Sequence, residues 1–268
     1  MRILYLGDIF GKPGRRAVRE LVPQLVKDKS IDLVFANAEN ICGGAGIDRK
    51  RLKEVFDAGV SLCSSGNHTW HVKEIYDFID KEDRLVRPAN LPEPCPGNTI
   101  ASVVRPSGTR VAIINLLGRV FMEPVDCPFR KADELLKELE GQAEIVILDF
   151  HAEATAEKLA LAHYLDGRIS AVLGTHTHVQ TADEQIMGGG TAYITDMGMT
   201  GPHDSVIGVD VKPILEKFLS ARPMRYHTAK GGIMLNGVIL DIDEQSGKVS
   251  HIERVRLPLE IRSENEKC

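Results

Sequence analysis

Gly232-Ile233-Met234-Leu235-Asn236-Gly237-Val238-Ile239-Leu240-Asp241 and Lys248-Val249-Ser250-His251-Ile252-Glu253-Arg254-Val255-Arg256-Leu257 are two extended runs joined across Asp243-Glu244-Gln245-Ser246-Gly247. Aliphatic and β-branched residues on both sides of a polar turn ending in Gly predict an antiparallel hairpin. The hairpin decides the fold because the chain before it alternates. Short apolar runs at residues 3–6, 33–36, 60–64, 110–117, 144–150, 171–174 and 191–195 read as strands, and most are separated by helical segments. Alternation alone suits one doubly wound sheet. Alternation closed by antiparallel strands favours an α/β sandwich, two packed sheets flanked by helices.

The helices follow from periodicity and punctuation. Pro13 starts a helix over residues 13–29, with Ala17, Val18, Leu21, Val22, Leu25 and Val26 on one stripe and Pro23 as an expected kink. Asp48 is the expected N-cap of the next helix, which stops near Gly59. Further helices are predicted over residues 72–79, 131–139 and 154–165. Four prolines between Arg87 and Asn98 mark a loop. It is read as internal, because polar segments on both sides of it have to meet in one cleft, so residues 1–268 form a single expected domain. The tail after Ile261 is expected to fray.

Composition narrows the function. The chain has 268 residues, 43% of them hydrophobic, with 33 Lys and Arg against 38 Asp and Glu for a net charge of -5. That balance lacks the basic footprint of a protein that grips long nucleic acid and suits small phosphorylated substrates. The five cysteines are scattered, odd in number and without CxxC spacing, which argues against a disulfide framework or a thiolate zinc site. The N-terminal apolar run stops at Gly7-Asp8, too short for a signal-peptide core or a membrane span, so a cytoplasmic protein with no membrane partner is expected.

The strand-like runs deliver polar residues in a fixed order: Gly7-Asp8, Asn37-Ala38-Glu39-Asn40, Gly66-Asn67-His68, His151 and His176-Thr177-His178. Asp8 alone suits a helix cap as well as a ligand. Glu39 is more telling, since a carboxylate behind Val34-Phe35-Ala36 needs a metal or a cationic partner. Asn40 and Asn67 offer neutral amide oxygens, and His68 points away from its neighbour and is free to face a substrate. His176 and His178, two apart in an extended segment, are expected on one side, where two imidazoles make good ligands. His151 supplies another nitrogen. His71, His163, His203, His227 and His251 lack such placement. This donor set suffices for two adjacent cations, the arrangement that stabilises attacking and leaving oxygens in phosphoryl displacement.

The series resembles the calcineurin-like metallophosphoesterases and, within them, the YmdB-like bacterial family, which includes phosphodiesterases acting on 2′,3′-cyclic nucleotides. Gly7-Asp8-Ile9-Phe10-Gly11, Asn37-Ala38-Glu39-Asn40 with Gly43-Gly44-Ala45-Gly46-Ile47, Gly66-Asn67-His68-Thr69-Trp70 and Gly174-Thr175-His176-Thr177-His178-Val179-Gln180 carry the resemblance. It implies a four-layer α/β/β/α sandwich of two mixed sheets flanked by helices, with the site at strand carboxyl ends. It places Asp8, Glu39, Asn40 and His178 around one metal, and Glu39, Asn67, His151 and His176 around the other, with Glu39 bridging. It implies that a metal-bridging hydroxide attacks phosphorus while His68 acts as general acid.

Two departures matter. Phe10 stands where most of the broader superfamily has the second residue of a DxH pair, so one metal loses an imidazole, Asn40 takes its place, and iron or manganese is favoured over zinc. Thr69 stands where many relatives have an acidic residue, so His68 needs another orienting partner. The substrate expected on resemblance is a cyclic nucleotide or another small phosphodiester, or alternatively a phosphomonoester. Trp70 suits stacking on a base but fits the core better. Homo-oligomerisation is implied by the resemblance alone. A metal-dependent nucleotide-binding regulator acting through a partner is the competing class. A metal amidohydrolase fits worse, given the absence of HExxH.

Overall fold

The computed structural model describes residues 1–260; the tail after Ile261 and Cys268 lie outside the described residues. Its elements are β1 (Arg2–Leu6), β2 (Asp8–Ile9), α1 (Gly11–Lys29), β3 (Leu33–Asn37), α2 (Arg49–Asp57), β4 (Leu62–Ser64), β5 (Ile100–Val104), β6 (Arg110–Leu117), α3 (Pro128–Leu139), β7 (Ile145–His151), α4 (Thr155–Leu165), β8 (Ala171–Thr175), β9 (Gln185–Ile186), β10 (Ala192–Ile194), β11 (Met199–Pro202), α5 (Val211–Ser220), β12 (Ile233–Ile242) and β13 (Val249–Pro258).

These form two mixed sheets. One is seven-stranded in the order β2-β11-β12-β1-β3-β4, with β13 paired to β12; the other is six-stranded in the order β5-β6-β7-β8-β10-β9. The hairpin β12–β13 is antiparallel, and β12 runs antiparallel to β1 with Tyr5 opposite Val238. The strands β1, β3 and β4 are parallel, as are β6, β7, β8 and β10.

Side-chain alternation builds four layers. Ile3 and Tyr5 point into the core between the sheets with Ile113, Ile147 and Leu173, whereas Leu4 and Leu6 face the core beneath α1 and α2. On the second sheet, Ile114, Leu148 and Val172 face α3 and α4. Strands buried on both faces have to be apolar throughout, which is why their sequences read as unbroken runs. Each such side chain contributes about 1.5–3 kcal/mol on burial.

The helices match their local chemistry. Asp48 caps α2 by accepting from the Arg51 N–H at 2.7 Å, and Gly59 follows the helix with φ 103°. Pro23 lies within α1 on its exposed side, and the helix runs through it to Lys29. The expected helix over residues 72–79 is corrected to two 3-10 turns, Lys73–Asp77 and Ile79–Lys81, broken at Phe78. Ile75, Phe78 and Ile79 are buried, and this spacing of three and four suits a 3-10 turn as well as an α-helix. Helix α5 and the short strands β2, β5, β9 and β11 lie outside the expected elements. Met199-Thr200-Gly201-Pro202 has no periodicity to read, and it pairs with β2 and β12 only in the tertiary fold.

Candidate metal centre

Every strand that contributes does so at its carboxyl end, so both sheets aim polar residues at one edge of the sandwich. Asp8 begins β2 directly after β1; Glu39 and Asn40 follow β3; Asn67 and His68 follow β4; His151 is the last residue of β7; His176 and His178 follow β8. All eight come together. Asp8, Asn40 and His151 are fully buried, and Glu39 and His178 nearly so.

One cluster surrounds His151. Its Nε2 lies 2.9 Å from Asn67 Oδ1, 3.1 Å from His176 Nδ1 and 3.3 Å from Glu39 Oε2. A second cluster brings ligand atoms of Asp8, Glu39 and His178 within 4.8 Å of one another. Asn40 borders it, donating from Nδ2 to Glu39 Oε1 at 2.7 Å with the same nitrogen 3.2 Å from His178 Nε2, while its Oδ1 faces His68. Glu39 thus serves both clusters, one carboxylate oxygen in each.

The histidine pair differs from expectation. His176 has φ 101° and His178 φ 66°, so the segment is left-handed rather than extended and the rings diverge. His176 faces His151, and His178 faces Asn40, one imidazole to each cluster.

Hydrogen bonds fix which nitrogen is free. Asp149 Oδ1 accepts from Thr175 Oγ1 at 2.5 Å, so the Thr175 oxygen is left to accept from His151 Nδ1 at 2.9 Å. His176 turns Nε2 to Glu153 at 3.2 Å, and His178 donates from Nδ1 to the Ile207 carbonyl at 2.9 Å. The remaining ring nitrogens therefore present lone pairs to the clusters.

Lone pairs of His151, His176, Asn67 and Glu39 converging at a largely buried point repel one another, and a cation among them would relieve that repulsion. Ligands adjacent on an ion with bonds of about 2.1 Å lie about 3 Å apart, close to the distances found. Asp8 Oδ1 is buried with no hydrogen-bond partner, which suits a ligand atom of the other cluster. A Cβ on Gly66 would lie 2.2 Å from Glu39 Oε2 and 2.7 Å from His151 Nε2, so glycine is what lets the chain pass this close. These donor types suit metal binding, and ligand atoms of Asp8, Glu39 and His178 lie close enough together to share one ion.

Electrostatics agree. Burial, then the charges of Glu39, Asp196 and Asp149, push the Asp8 carboxyl well above its ordinary range. Burial also pushes Glu39 upward, but the hydrogen bonds and charge of His68 oppose it and that carboxyl stays low. Burial is the largest influence on His151, His176 and His178 and draws all three below the usual imidazole range, into the neutral form that binds metal. Burial pulls His68 the same way, yet its hydrogen bond to Glu39 and that carboxylate's charge leave it raised.

His68 Nδ1 lies 2.7 Å from Asn40 Oδ1 and 3.3 Å from Glu39 Oε1, which supplies the orientation that Thr69 does not. Thr69 instead ties its own turn by donating to the Gly66 carbonyl at 2.6 Å. His71 stands edge-on to His68 with ring centroids 4.7 Å apart, a proximity that nothing in the local sequence signals. Trp70 is only partly buried and stacks on Tyr76. Phe10 packs edge-on against His178.

Asp149 is the residue sequence reasoning overlooks. It accepts from Ser64 at 2.5 Å, Asn37 at 2.8 Å and Thr175, ties both sheets together beneath the centre, and is pushed by burial to about 6 against those hydrogen bonds. An Asp inside the apolar run of β7 carries the same cost argument as Glu39, and that signal suffices to find it.

Comparison with known proteins places this geometry. The family model described as YmdB-like protein matches residues 4–255. A 2′,3′-cyclic-nucleotide 2′-phosphodiesterase of Bacillus subtilis is 49% identical over 255 residues, spanning 95% of this chain and 96% of that protein. A crystal structure described as a novel phosphatase of Mycoplasma pneumoniae superposes with TM-score 0.91 at 35% identity, covering 96% of this chain and 93% of that one. A Staphylococcus aureus structure provisionally assigned as a 5′-nucleotidase shares the fold, with TM-score 0.63 at 14% identity over 98% of this chain and 55% of that one.

Proposed function

Because the chain belongs to the YmdB-like family, we propose that it is a metal-dependent phosphodiesterase hydrolysing 2′,3′-cyclic nucleotides or related small phosphodiesters. One observation carries the reading: two clusters of imidazole, carboxylate and amide groups share Glu39 at the carboxyl ends of both sheets. Asp8, Glu39, Asn40 and His178 would hold one ion, and Glu39, Asn67, His151 and His176 the other. Oxygen and imidazole donors without thiolate support iron or manganese. Two cations bound here would offset the phosphate charge and lower the pKa of attacking water.

The protein's own groups supply the rest. His68, at 31% side-chain exposure, reaches solvent while Nδ1 is held by Asn40 and Glu39, which leaves Nε2 for a departing oxygen. The raised proton affinity that Glu39 gives it suits a general acid. The buried floor of Asp149, Thr175 and Ser64 keeps His151 in the tautomer that binds metal.

A single domain is part of the proposal, supported by the pairing of β1 near the start of the chain with β12 near its end. So is a cytoplasmic location, supported by the free thiols of Cys42, Cys63, Cys95 and Cys127; no helix among the described residues is long and apolar enough to cross a membrane. Self-association is supported by α5, which turns Val211, Leu215, Phe218 and Leu219 to solvent.

The test is hydrolysis of 2′,3′-cyclic AMP by purified protein with added Mn²⁺ and then excess chelator, with the product separated by chromatography. Chelator-sensitive formation of the 3′-monophosphate is expected. Tight nucleotide binding without turnover would replace this reading with the regulatory one.

A further inference from the structure

Lys158 has no part in the chemistry above, yet it is fully buried. The rest of the inward face of α4 is mostly apolar, with Leu161, Ala162 and Leu165. Removing an ammonium from water is costly, so its partners point to its purpose. It donates to the Thr175 carbonyl at 2.8 Å and to Asp196 Oδ2 at 3.0 Å. Asp196, also fully buried, follows β10 on the strand next to β8.

Asp196 grips the histidine segment. Its Oδ2 accepts from the Thr177 N–H at 3.0 Å and from the Thr177 hydroxyl at 2.8 Å, while Oδ1 accepts from the Gly198 N–H at 2.8 Å. Thr181, just beyond the segment, donates its N–H to the Asp196 carbonyl at 3.1 Å and accepts the Asp196 N–H at 2.9 Å. Lys158 therefore holds the residue before His176, and Asp196 holds the residue between the two histidines. On either side of Thr177 the backbone takes positive φ, a conformation that ordinary residues keep only when their surroundings enforce it.

We infer that Lys158 and Asp196 form a buried clasp that positions His176 and His178, turning one imidazole to each half of the dinuclear centre. The inference rests on the two-metal reading. The carboxylate accepts four hydrogen bonds at once, three of them from Lys158 and Thr177. An amide in the same place offers only one acceptor oxygen.

The test titrates Mn²⁺ by calorimetry into chelator-stripped wild type, Lys158→Met, Asp196→Asn and the double variant, with denaturant unfolding of each. The single variants should bind Mn²⁺ roughly 10- to 100-fold more weakly and unfold at lower denaturant. The double variant replaces a charge pair with neutral groups of similar shape, so its stability should recover. Its Mn²⁺ affinity should stay low, because an amide with one acceptor oxygen and no ammonium beside it holds Thr175 and Thr177 less firmly. Recovery of both in the double variant, or wild-type affinity in the single variants, would make the pair merely structural and overturn the clasp. A wild type that takes up no Mn²⁺ would overturn the metal centre, and the clasp with it.

Discussion

Gly66→Ala tests the centre by the smallest possible change. The added Cβ would stand 2.2 Å from Glu39 Oε2 and 2.7 Å from His151 Nε2. Non-bonded contacts of a real Cβ begin near 3.0 Å, so the shared carboxylate has to retreat by about 0.8 Å and the imidazole by about 0.3 Å. Against metal bonds of about 2.1 Å such a retreat breaks coordination, and a misplacement near 1 Å costs about 100-fold in rate, or about 2.7 kcal/mol of transition-state stabilisation. Gly66 does not have a positive φ, so the effect is steric and local. We expect kcat on 2′,3′-cyclic AMP to fall about 100-fold or more, with loss of bound metal measured by plasma emission on the same sample. Gly108→Ala is the control: a Cβ there meets nothing within 4 Å and φ is +91°, so it should cost about 1 kcal/mol of stability and no rate. Full activity and full metal content in Gly66→Ala would refute the placement of Glu39 and His151 around a shared ion.

His68→Ala should keep its metal and lose about 100-fold or more in kcat on a substrate with a poor leaving group; an unchanged rate would remove it as general acid. Asn67→Ala and His178→Ala should each lower metal content and abolish turnover, since each removes a donor from a different cluster; full activity in both would sink the dinuclear reading. Phe218→Ser with Leu219→Ser should leave hydrolysis intact while shifting the protein to smaller species in sedimentation, because these side chains are 79% and 88% exposed on α5; an unchanged mass distribution would exclude that face as the contact.

Much of the fold and of the site is legible in the order of residues along the chain. Continuous apolar runs such as Leu33 to Ala36 can only be strands buried on both faces, because an exposed strand alternates. The polar residues that end them gather at one edge of the sandwich, so the order Asp8, Glu39, Asn67, His151, His176 is readable as a list of candidate ligands. The C-terminal hairpin separates a sandwich from a single wound sheet for the same local reason, a turn between two extended runs.

What the chain alone leaves open depends on contacts between residues far apart in sequence. The HxH pair reads as extended, and the hold of Asp196 and Lys158 on Thr175 and Thr177, with that of Asp8 on the His176 N–H, accompanies its positive-φ course. Thr69 leaves His68 without an obvious partner, and the approach of Asn40 and Glu39 from beyond β3 supplies one. Strand β11 carries Gly and Pro and has no periodicity, so it becomes a strand only because β2 and β12 offer it partners. Which residues carry the chemistry is written locally, since residue type and strand ends are properties of short stretches. How each of them is aimed belongs to the tertiary fold, because tautomer, backbone hand and ligand separation are set by neighbours 17 to 168 positions away along the chain.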